Sequence, residues 1–158
     1  MSEDSSSEFR FIVDEMLGKL AKWLRAIGYD TIYYIGGDDS ELVRQALEEN
    51  RIILTKDSHL VKRKLARRTF LVRVDNPREQ FKQVVKELKL DVESRLFTRC
   101  LLCNQELVSV EKAGVRGKVP IYTYLTQSNF YKCPGCGKLY WPGTHKDSMM
   151  EMIGSIMP

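Results

Sequence analysis

Acidic side chains follow several apolar runs of this sequence, and their placement indicates metal chemistry. Asp14 directly ends the run 9–13, Asp57 follows the run 51–55, and Asp39 and Asp75 come shortly after two further β-branched or aromatic runs. Carboxylates that share a cleft repel one another unless a cation neutralises them, which favours hard ions such as Mg²⁺ or Mn²⁺. Such ions activate water and stabilise the charge that develops on a phosphodiester. Hydrolysis of a nucleic-acid backbone is therefore the first hypothesis.

Each of these acids also has a purely structural interpretation. Asp39 and Asp75 could cap helices, and Glu41 could favour a helix dipole. Asp14 and Asp57 are harder to explain in this way, because each follows a predicted buried strand. The functional hypothesis depends on the coincidence of these two residues. Glu15 is a weaker candidate than Asp14, since alternation along a strand turns neighbouring side chains apart.

Basic side chains are concentrated around Asp57 in the sequence. Phosphate contacts from such residues give affinity without sequence preference and steer a polyanion toward a cleft. A solvated helix face is the alternative interpretation. Lys22 and Arg25, on the first predicted helix, could extend the same surface. The cationic stretch comprises Lys56, Lys62, Arg63, Lys64, Arg67 and Arg68.

Four cysteines form the most specific motif. Cys100 and Cys103 make one C-x-x-C pair, Cys133 and Cys136 make another, and 29 residues separate the pairs. This arrangement is typical of a structural zinc ribbon, in which four thiolates leave no open position for catalysis. Disulfides or reactive thiols are the alternatives. We predict about one zinc per chain, and we expect loss of Cys133 to unfold the C-terminal module while leaving the rest largely intact.

Alternating strands and helices are predicted to position the acids. Predicted strands cover residues 31–35, 51–55 and 69–74 after the first one, a helix follows each strand, and the third helix covers residues 58–68. This alternation favours right-handed crossovers and a parallel sheet. The carboxyl ends of parallel strands share one edge, where α/β folds place their ligands. Asp14, Asp39, Asp57 and Asp75 all fall on that edge.

Composition limits the remaining possibilities. The chain has 158 residues and a formal net charge of +4, which mildly favours polyanionic partners. Residues 1–8 are acidic and serine-rich, so we expect a disordered tail and neither a signal peptide nor an anchor. No later run is apolar enough to cross a bilayer. We therefore expect a cytoplasmic protein with reduced thiols.

The chain divides into four predicted segments. They are the tail over residues 1–8, an α/β domain over residues 9–92, a zinc ribbon over residues 93–146, and a C-terminal helix or tail over residues 147–158. The ribbon is rich in aromatic side chains, which could stack on bases or simply pack its thin core. A module of this size needs its metal, because it buries too little apolar surface to be stable unaided.

Taken together, the motifs FIVDEMLGKLAKWLRAIGYDT, DDSEL, RIILTKD, RCLLCNQEL and CPGCGKLYWPGTH resemble the RNase domain named after the C-terminal part of the Mut-seven exonuclease. The resemblance extends from Phe9 to about Met150. It implies a PIN-like α/β fold, with helices on both faces of a parallel sheet, followed by a small C-terminal zinc ribbon. It also implies that Asp14, Asp39 and Asp57 bind Mg²⁺ or Mn²⁺. PIN-like proteins often carry a further carboxylate where Ser58 and His59 stand here, so Asp75 or Glu41 is the candidate fourth acid and the number of bound ions stays open.

Two functions follow from these observations. The first is a metal-dependent ribonuclease, in which the acids hold Mg²⁺ or Mn²⁺, and we expect an endonuclease. Its predicted RNA contacts are Lys22, Arg25, Lys56, Lys62 and Arg63. The second is a module that binds RNA, a ribosomal surface or a protein partner through the ribbon and the basic helix and does not cleave RNA. A ribbon that only mediates self-association or docking is a third possibility.

Overall fold

A four-stranded parallel sheet forms the centre of the protein, as predicted. The computed structural model describes residues 9–63 and 68–156, so the predicted tail over residues 1–8 lies outside the described residues. The strands are short and rich in β-branched and aromatic side chains, which suits a sheet covered on both faces. Their spatial order is β2-β1-β3-β4. The strands are β1 (Phe11–Asp14), β2 (Thr31–Tyr34), β3 (Ile52–Thr55) and β4 (Thr69–Leu71).

Helices follow the strands, and side-chain caps fix where three of them begin. Asp38, Asp57 and Asn76 each accept a hydrogen bond from a backbone amide in the first turn of the helix that they precede. A short 3-10 turn, Glu15–Leu17, connects strand β1 to the first helix. The helices are α1 (Gly18–Ala26), α2 (Asp39–Glu49), α3 (Ser58–Val61) and α4 (Pro77–Leu88).

Alternation along the strands divides the core between the two faces of the sheet. Phe11 and Val13 pack in a large cluster that includes buried residues of α1 and α4. Ile12, between them in sequence, packs in a smaller cluster with residues of α2 and α3. Helices therefore cover both faces, and the ends of the strands are not covered by these two layers.

The second part of the chain contains a small antiparallel sheet. Its strands are β5 (Val108–Val110), β6 (Phe130–Lys132) and β7 (Leu139–Tyr140), in the order β5-β6-β7. Between β5 and β6 lie a 3-10 turn, Lys112–Val115, and the short helix α5 (Ile121–Thr126). Phe130 is buried and packs against Trp141, so these two aromatic rings contribute to the core of this unit.

The chain ends in a helix that returns to the parallel sheet. Helix α6 (Thr144–Ile156) begins three residues before the predicted C-terminal segment. Met149, Met152 and Ile153 are buried in the large cluster that contains Phe11 and Leu24. The C-terminal segment is therefore a helix packed on the body, one of the two forms that the sequence suggested.

Two predicted strands are shorter than expected because their partner strands end, and one predicted helix is shorter because its last turn tightens. Strand β2 stops at Tyr34, which pairs with Asp14, the last residue of β1. Strand β4 stops at Leu71, since its partner strand ends at Thr55. Helix α3 stops at Val61, where the amides of Lys62 and Arg63 bond back over only three residues and tighten the last turn. Residues 64–67 of the predicted helix, including Lys64 and Arg67, lie outside the described residues.

None of the helices found in residues 9–63 and 68–156 combines the length and the apolar character needed to cross a bilayer.

Candidate functional site

Asp14 and Asp57 are joined at the carboxyl edge of the sheet by one hydroxyl group. Thr55, the last residue of β3, is fully buried. Its Oγ1 donates to Oδ2 of Asp14 at 2.9 Å and accepts from the backbone amide of Asp57 at 3.0 Å. Asp14 ends strand β1, which is the neighbour of β3 in the sheet. The two acids are thus held together by the ends of two adjacent strands.

Asp57 also begins helix α3. Its Oδ1 accepts a hydrogen bond of 2.8 Å from the amide of His59. The amide of Asp57 is already engaged by Thr55, so both the backbone and the side chain of this residue are fixed in position. His59 is exposed.

Asp39 lies at the start of helix α2 without capping it. The cap is Asp38, whose Oδ1 accepts from the amide of Glu41 at 2.8 Å. Asp39 is the first residue of the helix and is half-buried, so the capping interpretation does not apply to it. Burial, together with the negative charges of Glu41 and Asp38, raises the pKa of Tyr34. Because Tyr34 pairs with Asp14, the start of α2 lies near the end of β1.

The three acids share an edge without converging on one point. Within residues 9–63 and 68–156, the four cysteines are the only group of three or more acidic, histidine or cysteine side chains placed to hold one ion. Asp14 and Asp57 are connected through Thr55, whereas Asp39 is placed by a different element, α2. A metal site formed by these acids therefore stays a prediction.

Both candidates for a fourth acid are engaged in ion pairs. Asp75 pairs with Lys56, which lies between Thr55 and Asp57 in sequence. Glu41 pairs with Arg44 at 2.6 Å on the surface of α2. In each carboxylate one oxygen therefore already has a cationic partner.

The predicted phosphate-binding residues fall into two groups. Lys56, Lys62 and Arg63 lie close to the acids in sequence, and Arg63 donates to Oγ of Ser40 at 3.0 Å, which brings its guanidinium beside the start of α2. Lys62 is exposed and follows helix α3 directly. Lys22 is exposed on α1, and no hydrogen bond or ion pair in the described part of the chain fixes its position.

Arg25, a predicted substrate contact, makes structural hydrogen bonds away from the acids. Its Nε donates to the carbonyl of Thr31 at 2.9 Å, and its Nη1 donates to the carbonyls of Leu101 and Leu102 at 2.8 and 3.3 Å. Thr31 begins strand β2, so these bonds lie at the edge opposite the acids. Burial lowers the pKa of Arg25, although nearby cysteines oppose this effect. Arg25 therefore connects helix α1 to the first cysteine pair, whereas the sequence suggested a substrate contact.

The four cysteines are positioned to bind one metal ion. Their sulfur atoms all lie within 4.8 Å of one another, and Sγ of Cys100 is 3.8 Å from Sγ of Cys136. Tetrahedral zinc with Zn–S bonds of about 2.3 Å places its sulfur ligands about 3.8 Å apart. The residues after the two pairs, Asn104 and Gly137, have left-handed φ angles of 70° and 80°. The spacing of the sulfurs thus fits a zinc ion.

Hydrogen bonds already favour thiolate at one cysteine. Burial works to raise the pKa of the Cys100 thiol, but bonds from the hydroxyl of Tyr140 and from backbone amides lower it to about 7. The same Tyr140 oxygen accepts from the amide of Leu101 at 3.1 Å. Outer hydrogen bonds of this kind orient metal ligands and favour the deprotonated thiolate that binds a metal ion.

Asn104 attaches the first cysteine pair to the amino edge of the sheet. Its Oδ1 accepts from the amide of Thr31 at 2.8 Å, and its Nδ2 donates to Oδ1 of Asp30 at 2.7 Å. Asp30 is also paired with the buried Arg51 at 2.8 Å. Desolvation works to raise the pKa of Asp30, but hydrogen bonds from Arg51 and Asn104 more than offset it, and the pKa is lowered.

Sequence reasoning missed three of these residues. Thr55 could have been found from its place at the end of a buried strand, two residues before Asp57. Asn104 directly follows Cys103, just as Gly137 directly follows Cys136. This equivalence could have indicated that both positions have a left-handed φ. Arg51 opens a buried strand, but nothing in the sequence indicates that Asp30 is its partner.

Comparison with known proteins places the chain in one family. The family model for the Mut7-C RNAse domain matches residues 9–153. The match includes both the acidic edge and the four cysteines. Among curated proteins, no match to the chain is found. Because the family model covers most of the sequence, the chain belongs to the Mut7-C RNAse domain family.

Proposed function

We propose that the protein is a metal-dependent ribonuclease of PIN-like fold that cuts within RNA chains. The observation that carries the proposal is the pairing of Asp14 and Asp57 through the buried Thr55 at the carboxyl edge of a parallel sheet. Ligands of open α/β sheets bind at this edge. Membership of an RNase family supports a phosphodiester as the bond that is broken.

Asp14, Asp39 and Asp57 are the residues that would hold Mg²⁺ or Mn²⁺. Carboxylate oxygens suit these hard ions. A bound ion would activate water and stabilise the charge on the phosphoryl oxygens during in-line attack. In this hydrolysis the water oxygen would bond to phosphorus as one P–O bond of the backbone breaks, and the departing oxygen would take up the proton that the water loses. Thr55 fixes the Asp14 carboxylate so that it need not reorganise during the reaction, and Asp57 is fixed by its bonds to Thr55 and His59.

Basic residues near the acids are proposed to hold the RNA backbone. Lys62 and Arg63 follow helix α3, next to the acidic edge, and Lys56 lies between Thr55 and Asp57. Lys56 pairs with the exposed Asp75, and this pair would have to open for the lysine to contact a phosphate. Lys22 is proposed as a contact farther from the reaction, from α1.

One structural zinc ion is proposed for the four cysteines. The spacing of the sulfurs and the outer hydrogen bonds to Cys100 support zinc over a harder ion. Four sulfur ligands fill a tetrahedral site, so this ion would have no open position for substrate. Such a site needs reduced thiols, which is consistent with the cytoplasmic location that we propose.

The test is cleavage of a mixed pool of structured and single-stranded RNAs in Mg²⁺ or Mn²⁺. Asp14→Asn and Asp57→Asn should each lower the cleavage rate by about a hundredfold or more, because each removes a charge from the metal site. Asp147→Asn, which changes an exposed aspartate on α6, is the matched control and should cleave like the parent. Equal cleavage by the parent and Asp14→Asn in Mn²⁺ would contradict the proposal.

A second function is an RNA- or ribosome-binding zinc-ribbon module without catalysis. The observation that favours it is the spread of the acids, which share an edge but not one ion-sized space, together with the ion pairs of Asp75 and Glu41. Tight RNA binding by the parent, with no cleavage in any divalent metal, would establish this alternative.

A further inference from the structure

Two large apolar side chains are exposed beside the acidic edge. Met16 lies two residues after Asp14 and is 68% exposed, and Ile35 follows Tyr34 and is 65% exposed. Asp14 and Tyr34 are paired across adjacent strands, so Met16 and Ile35 emerge from neighbouring strand ends on the same edge. We call these two side chains the apolar shelf.

Both loops that carry the shelf are fixed by tyrosines of strand β2. The hydroxyl of Tyr33 donates to the carbonyl of Glu15 at 2.5 Å, and the hydroxyl of Tyr34 donates to the carbonyl of Asp38 at 3.3 Å. Met16 lies within the first loop, next to the bonded Glu15. Ile35 lies in the second loop, between Tyr34 and the bonded Asp38. The backbone around the shelf is therefore constrained.

Glycines make these tyrosine contacts possible. A Cβ at Gly18 would lie 3.0 Å from the hydroxyl of Tyr33, and a Cβ at Gly37 would overlap the hydroxyl of Tyr34. Gly36, between Ile35 and Gly37, has a φ of 79°, in the region that favours glycine. The sequence around the shelf is thus adapted to hold the two loops closely, yet it leaves their largest apolar side chains in water.

Met16 and Ile35 leave adjacent strand ends next to the acids, and exposed apolar side chains beside a proposed site are candidates for a contact surface. We infer that the apolar shelf, Met16 and Ile35, binds nucleobases of an RNA strand whose backbone lies along Asp14, Asp39 and Asp57. The inference rests on the proposed function for the identity of the ligand. A nucleobase presents an apolar face that can cover such side chains, while its phosphates need cations.

The charges around the shelf support a nucleic acid over an apolar protein segment. Lys62 and Arg63 follow helix α3 at the carboxyl edge, and the contact of Arg63 with Ser40 brings this cation to the start of α2. A strand that places its bases on the shelf can therefore place phosphates near these cations. Bases give sequence-tolerant affinity through their faces, and phosphates give affinity that depends on salt.

Binding to RNA with and without bases tests the inference directly. The full chain with its zinc would be titrated with a ten-nucleotide oligouridylate and with an abasic ribose-phosphate chain of equal length. The buffer would contain Ca²⁺ at fixed salt, and the RNA would be checked for integrity. We expect the parent to prefer the base-containing chain. Changing both shelf residues, Met16→Ser with Ile35→Ser, should weaken oligouridylate binding about 5- to 10-fold and leave abasic binding unchanged.

Two further variants make the result specific. Leu47→Ser removes another exposed aliphatic side chain, 45% exposed on the second half of α2, and should bind both chains like the parent. Met16→Leu with Ile35→Val keeps an apolar shelf and should retain the preference for bases. Thermal unfolding of each variant would confirm that the fold is intact.

The outcomes separate this inference from the proposed function. If the parent binds both chains equally, or if the serine variant keeps the preference for bases, the shelf does not bind nucleobases. Cleavage by the parent under those results would leave the ribonuclease proposal standing. A shelf-dependent preference for bases in a protein that never cleaves would support the shelf and contradict the ribonuclease proposal.

Discussion

At the scale of single residues, Thr55 connects the acids on which the proposed reaction depends. Its side chain is buried and its hydroxyl makes two bonds, one to a carboxylate and one to an amide. Valine has almost the same shape but lacks the hydroxyl, so Thr55→Val isolates the effect of these bonds.

We expect Thr55→Val to slow RNA cleavage about tenfold with little change in RNA affinity, because the Asp14 carboxylate is no longer held. The free energy of unfolding should fall by about 1 to 2 kcal/mol, since the amide of Asp57 loses its partner. Single-turnover cleavage and urea unfolding measure the two effects. Thr55→Ser keeps the hydroxyl and is the control. Parent-like cleavage by the valine variant would mean that Thr55 does not position Asp14.

Asp30 makes stability depend on pH. Its pKa is lowered in the folded protein because hydrogen bonds from Arg51 and Asn104 outweigh burial. A carboxyl group with a lowered folded pKa stabilises the protein above its unfolded pKa, and this contribution is lost as the pH falls through the folded value. Its stabilising effect is therefore complete near neutral pH and declines in the acid range, below about pH 4.

Asp30→Asn should lower the free energy of unfolding at pH 7 by about 1 to 2 kcal/mol, because it removes one of the two carboxylates, Asp30 and Glu49, that pair with the buried Arg51. The difference between parent and variant should shrink as the pH is lowered toward 3. Urea titrations at several pH values would measure it. A difference that stays constant from pH 7 to pH 3 would show that Asp30 does not titrate as described.

At the scale of elements, the residues that follow the two cysteine pairs share a left-handed backbone conformation but have different side chains. Asn104 and Gly137 both adopt left-handed φ angles directly after the second cysteine of a pair. Glycine adopts this conformation freely, and asparagine is among the few other residues that tolerate it. Only Asn104 adds a side chain that reaches Asp30 and Thr31, which attaches the first pair to the sheet.

A reciprocal exchange separates the backbone effect from the side-chain effect. Asn104→Gly should keep zinc but lose about 2 kcal/mol of stability, because the Thr31 amide and the Asp30 carboxylate each lose a buried partner. Gly137→Asn should change stability by less than about 1 kcal/mol, since nothing lies within 4 Å of a Cβ placed there and asparagine tolerates a left-handed φ. Zinc content and unfolding midpoints check both. Equal losses of stability in the two variants would mean that the backbone conformation, and not the side-chain contacts of Asn104, determines the effect.

At the scale of the whole molecule, the alternating pattern predicted the parallel sheet, because apolar runs and capping residues determine local structure. The same pattern predicted that Asp14 and Asp57 lie at one edge of the sheet, since the carboxyl ends of parallel strands share an edge. The contacts of Arg25 could not be predicted, because two of its three partners lie 76 and 77 residues away and all are backbone carbonyls, which any residue type supplies. The lengths of β2 and β4 depended in the same way on where their neighbours end.

The same long-range contacts place the two proposed metal sites at opposite edges of the sheet. The acids lie at the ends of strands β1 and β3, whereas Asn104, directly after the first cysteine pair, contacts Thr31 and Asp30 at the start of β2. The cysteine site is therefore attached to the edge of the sheet opposite the acids. Helix α6 then returns from the second part of the chain to the core of the first.

This connectivity changes what loss of zinc should do. The sequence suggested that Cys133→Ser would unfold only the C-terminal module. In the structure, Met149, Met152 and Ile153 of α6 share a core with Phe11, and Asn104 supports Asp30. Loss of the cysteine site should therefore destabilise the parallel-sheet body as well, because metal binding contributes free energy to folding.

We expect Cys133→Ser to lower the melting midpoint of the body by about 10 °C or more, through loss of several kcal/mol shared between the two parts. Amide hydrogen exchange in β1 and α1 would report on the body alone, and Lys132→Ser, which changes the exposed neighbour of Cys133, is the control. Unchanged exchange in β1 and α1 of a variant without zinc would show that the body is independent of the cysteine site. Accelerated exchange there, matched by chelation of zinc from the parent, would show that the cysteine site stabilises the sheet that carries the acids.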